Sequence, residues 1–225
     1  GLYMVWRVVQ SEGLKRLLFY FLLVVLFIYG GVQGHLGTLE MLPMKNYTQY
    51  YEPIIEYLNR DKTPTVILGS SQFYAGLFTT YTNHDLFWQH QAVVYNTSIA
   101  TFHDALLVYF YLNQNFRNGF LALIKDSTTP NNDYKDMYFQ LQRYYTDPSS
   151  PNKEQVTVET FDKRMVDEYR KVMQRPDGIK DILKKHHVKY IVWDKNVNPE
   201  WDVSGVSGLT ELLSNHAIYL YSVTY

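Results

Sequence analysis

One stretch restricts this chain more than any other. Leu17–Leu36, LLFYFLLVVLFIYGGVQGHL, runs for twenty residues without a formal charge. As a helix it covers about 30 Å, the thickness of a bilayer's hydrocarbon core. A buried helix of a soluble protein would carry a polar stripe at this length, and none is present. Lys15 and Arg16 stand directly before the stretch, Arg7 a little earlier, and the next basic residue is Lys45. The positive-inside rule then puts the N-terminus in the cytoplasm and the chain beyond about residue 40 outside. The expectation is a cell-membrane protein: a membrane segment over residues 1–40, with a transmembrane helix at about 15–37, and an extracytoplasmic domain over 41–225. A cleaved signal peptide is the rival, with Lys15-Arg16 as its basic region and Val32-Gln33-Gly34 as its cleavage site. The apolar stretch is long for that role. Residues 1–14 leave two readings open, a native start and the tail of an earlier membrane helix. The expected partners are the lipid bilayer and further membrane helices of the same chain.

Composition closes off other classes. A net charge of −1 over 225 residues provides no basic face, so no nucleic-acid partner is expected. With no cysteine, disulfides, thiolate metal sites and cysteine nucleophiles are all excluded. Aromatic residues at 16% are enough for a substantial core and rule out a disordered chain.

Beyond the span, apolar periodicity alternates between helix and strand. Tyr47, Tyr50, Tyr51, Ile54, Ile55 and Leu58 make one helical stripe, and Thr65–Leu68 a buried strand ending at Gly69. Asp85–Gln89 and Ala92–Tyr95 predict further strands. Thr101 and Asp104 have the spacing of a capping box ahead of the apolar run Ala105–Leu112, which predicts a core helix. Gly119–Ile124 predicts a strand, and Asn131–Tyr145 a segment helical in its second half. After the loop Asp147–Asn152, Phe161, Met165, Tyr169, Val172 and Met173 mark an amphipathic helix. Pro176 predicts the start of another helix, with Asp177 in its first turn and Lys184-Lys185 in its last. Val188–Trp193 predicts a strand, Thr210–Ser214 a short helix and Ala217–Val223 a closing strand. The class is therefore α/β: one N-terminal transmembrane helix followed by a small mixed sheet flanked by helices.

Chemical signatures are sparse. Gly69-Ser70-Ser71 follows a strand, where a serine could be a hydrolase nucleophile, but no histidine has the aspartate three residues before it that such a hydrolase uses. His84, Asp85 and His90 lack the spacing of a helical metal site, and the adjacent His186 and His187 point about 100° apart on a helix. No metal or cofactor is expected. The carboxylates Asp133, Asp136, Asp162, Asp167 and Glu168 read as solvated helix faces. Asn46-Tyr-Thr48 and Asn96-Thr-Ser98 match the glycosylation sequon. In α/β sheets ligands gather beyond the carboxyl ends of the strands. Here those ends carry Ser70, Ser71, Asp194 and Lys195, with Trp193 and Trp201 nearby. These six are the candidate ligand-binding residues, and no catalytic residue is assigned.

The order of motifs in the last third carries a resemblance. Ile182-Leu-Lys-Lys-His-His-Val-Lys-Tyr-Ile-Val-Trp-Asp194 followed by Ala217-Ile-Tyr-Leu-Tyr221 resembles the ending of polytopic GT-C-class membrane glycosyltransferases. That class includes dolichyl-phosphate-mannose-type enzymes and related bacterial families. Thr65-Val-Ile-Leu-Gly-Ser70, the segment Ala75–His84 and Asn198-Pro-Glu-Trp201 are similar to the same pattern. The resemblance implies an outer domain accessory to catalysis in membrane helices, and a polyprenyl-phosphate sugar donor used there. It transfers no catalytic residue, because the acidic first outer loop of that class is not in this sequence. The alternative is a self-contained membrane-anchored binding or structural domain without enzymatic activity.

Overall fold

The computed structural model describes Phe21, Val25 and residues 47–88, 98–116, 119–126, 133–152, 154–175 and 177–225. The chain divides into two units, Gly1–Gln49 and Tyr50–Tyr225. In the first, Phe21 and Val25 are helical and exposed. The rest of the expected membrane span lies outside the described residues, as do Ala92–Tyr95, His90, Pro176, Asn46 and Asn96. Among the described residues no helix is long and apolar enough to cross a membrane.

The second unit is α/β. Its helices are α1 (Glu52–Leu58), α2 (Gln72–Tyr81), α3 (Ile99–Leu112), α4 (Phe120–Lys125), α5 (Asp133–Thr146), α6 (Val158–Gln174) and α7 (Lys180–Lys185). Its strands are β1 (Val66–Gly69), β2 (Asp85–Leu86), β3 (Val188–Asp194), β4 (Leu209–Asn215) and β5 (Ile218–Val223), in the sheet order β2-β1-β3-β5-β4. β1 runs parallel to β2 and β3, and β5 antiparallel to β3 and β4, so the sheet is mixed.

Local chemistry sets the helix starts. Ser71, Ser98 and Thr157 each cap a helix by accepting the N–H three residues on, at 3.3, 3.1 and 3.2 Å. Thr101, expected to open α3, is instead the third residue inside it, because Ser98 supplies the cap. α1 carries Pro53 in its first turn, where a missing N–H costs nothing.

Period-two alternation sorts β1 between two layers. A Cβ on Gly69 would meet Ala75 and Phe78 of α2, so Gly69 and Ile67 face that helix. Leu68 faces the opposite way, into a core built with α3, α5, α6 and α7. β3 has an irregularity against β1: Val66 pairs with Val188, but Ile67 pairs with Tyr190. Lys189 is therefore an extra residue, and it lets both Val188 and Ile191 enter the main core. The main core is rich in aromatics, with Phe110 packed on Phe116, Phe120 and Tyr169 at centroid distances of 5.0, 4.6 and 6.2 Å.

Three expectations are corrected. Gly119–Ile124 is the helix α4, because a six-residue apolar run has no period of its own and here packs by helix contacts against α5 and α6. Thr210–Ser214 lies in β4, which forms a hairpin with β5. The turn residues His216 and Ala217 have φ of +48° and +62°, a two-residue turn of the type that matches strand twist. Without the usual Asn-Gly pair, that turn left no mark in the sequence. Finally, α7 begins at Lys180, with a turn over 177–179 before it. Gly178 bends there at φ +52°, and a Cβ on it would lie 2.5 Å from the Tyr111 hydroxyl.

Candidate functional site

β1 lies between β2 and β3, and the chain leaves it first toward β2 and later returns to its other side as β3. This reversal is the position at which open α/β sheets form their ligand crevice. The structure brings Ser70, Ser71, Trp193, Asp194 and Lys195 to the adjoining ends of β1 and β3. The Asp194 N–H donates to Ser70 Oγ at 2.8 Å, and Asn198 Nδ2 donates to the Ser70 carbonyl at 2.8 Å. Asp194 has no exposed surface. One of its carboxylate oxygens accepts the Tyr51 hydroxyl, and the other accepts the N–H groups of Asn196 and Val197 at 3.0 and 3.3 Å. The neighbouring Tyr74 phenol is pushed up by burial and then by the Asp194 charge.

The remaining candidates also serve the fold. Ser71 Oγ caps α2. Trp193 Nε1 donates to the Asn198 carbonyl at 2.9 Å, and Lys195 Nζ sits 5.7 Å from the Trp193 ring. Trp201, 1% exposed, packs edge-on against Tyr109 at 5.4 Å, and the Tyr109 hydroxyl donates to the Gly69 carbonyl. His84 lies elsewhere, its Nε2 3.0 Å from the Leu58 carbonyl. Among the described residues no group of three or more histidines and carboxylates is placed to hold a metal ion.

A second site was invisible in the sequence. α3, α6 and α7 enclose a cleft of about 260 Å³ with Leu107 and Ile182 in its lining. One histidine–carboxylate pair lies on its wall, and the wall residue Asp104 forms a second with His186. His103 Nε2 lies 2.6 Å from Glu168 Oε2, joining α3 to α6. Asp104 Oδ2 lies 2.7 Å from His186 Nε2 and accepts Lys185 Nζ at 2.7 Å, joining α3 to the end of α7. Burial pulls the His103 imidazole down, but hydrogen bonds to Asp104 and Glu168 and their charges outweigh it and bring the imidazolium to about 9. Asp104 is held well below the usual carboxylate range: burial opposes this, but bonds to His103, His186 and Lys185 prevail. Glu168 is lowered chiefly by its bond to His103.

A comparison with protein-family models, with curated proteins and with solved structures finds no match to this chain.

The carboxylates expected on solvated faces divide accordingly. Asp167 is solvated and pairs with Arg170 at 3.2 Å. Asp162 is buried, taking bonds from Lys125, Tyr138 and Gln142, and so ties α4 and α5 to α6. Glu168 faces the cleft. The only signal available was that His103, Glu168 and His186 interrupt or flank apolar faces, which fixes no pairing.

Proposed function

We propose that residues 41–225 form an extracytoplasmic accessory domain of a membrane-embedded, glycosyltransferase-like protein, with the chemistry carried out by membrane helices on a lipid-linked sugar. The observation that carries this reading is the uncharged stretch Leu17–Leu36 with Lys15-Arg16 on one flank, set before an α/β unit. The motif order from Ile182 to Tyr221 and from Thr65 to His84 supports it. A domain of this kind covers or shapes a neighbouring site.

The test is topology. In inside-out and right-side-out membrane vesicles carrying the full chain, single cysteines placed at Ser11 and Ser204 are treated with an impermeant maleimide. The cysteine-free background makes each label unambiguous. The reading expects Ser204→Cys to label from the outside and Ser11→Cys from the cytoplasmic face. Extraction of the chain by alkaline carbonate, or labelling of both positions from one face, would overturn it.

A further inference from the structure

We draw no further inference here: the strongest candidate, the groove between α4 and α6 lined by Leu121, Val166, Tyr169, Arg170 and Met173, carries none because nothing in the structure shows what covers it.

Discussion

Asp194 has no exposed surface, and both oxygens of its carboxylate are engaged. Its carboxylate receives Tyr51 from the segment before α1 and two N–H groups from its own loop, and its N–H reaches the Ser70 hydroxyl at the end of β1. Asp194→Ala leaves those donors buried without an acceptor. It should cost about 3 kcal/mol, read as a lowered denaturant midpoint at constant m-value. An unshifted midpoint would show that the network is not stabilising. Position in the chain made Ser70 and Asp194 visible, because both follow apolar strand runs. Their pairing was not visible, since it depends on a separation of 124 residues closing to 2.8 Å. The same limit hid His103 and Glu168. Their titration gives a second test. His103 rises from 6.5 unfolded to about 9 folded, so its contribution is complete below about pH 6.5 and is lost as pH rises through 9. Glu168 and Asp104 are lowered, so theirs is present above about pH 4 and lost in acid. The wild type should therefore lose more of its melting temperature between pH 6.5 and 9.5 than His103→Gln does. Parallel pH profiles for the two proteins would refute this.

Among elements, periodicity identified those long enough to show it and misassigned the short ones. α6, with 17 residues, and β3, with 7, lie close to where their apolar patterns put them. α4 and β4 were exchanged in type, because short apolar or mixed runs suit either geometry until the neighbours are known. Ile191 occupies the middle of β3 and is fully buried in the main core. Ile191→Asp puts an unpaired charge there and should unfold the unit, at a cost of several kcal/mol. A melt unchanged in the full chain would contradict the strand's burial. The entry to β4 is equally intolerant. Gly208 has φ +80°, and a Cβ on it would lie 2.3 Å from the Thr224 carbonyl oxygen. That obstacle is backbone, not a movable side chain. Gly208→Ala should cost about 2 kcal/mol, measured by chemical denaturation, whereas Gly76→Ala, with open space around it and a helical backbone, should be neutral or slightly stabilising.

Across residues 50–225, helices flank a sheet whose parallel and antiparallel halves differ in what they carry. In the parallel half the ends of β1 and β3 are joined by the bond between Ser70 and Asp194, and the antiparallel half forms the β4–β5 hairpin. Burial of both Ser70 and Ser71 predicts that a fluorophosphonate probe will not label the native chain, and labelling at either position would revive a hydrolase reading. Among the described residues the sheet has two borders. β2 is only two residues long, too short to template another strand. β4 is longer, but Leu212 is an extra residue in its pairing with β5, and Thr210, Glu211 and Ser214 are exposed along it. A bulged, charged border resists continuation by a second molecule. Leu212 interrupts the ladder on this border, so a chain lacking that residue should self-associate more readily edge to edge, read as increased light scattering at equal concentration.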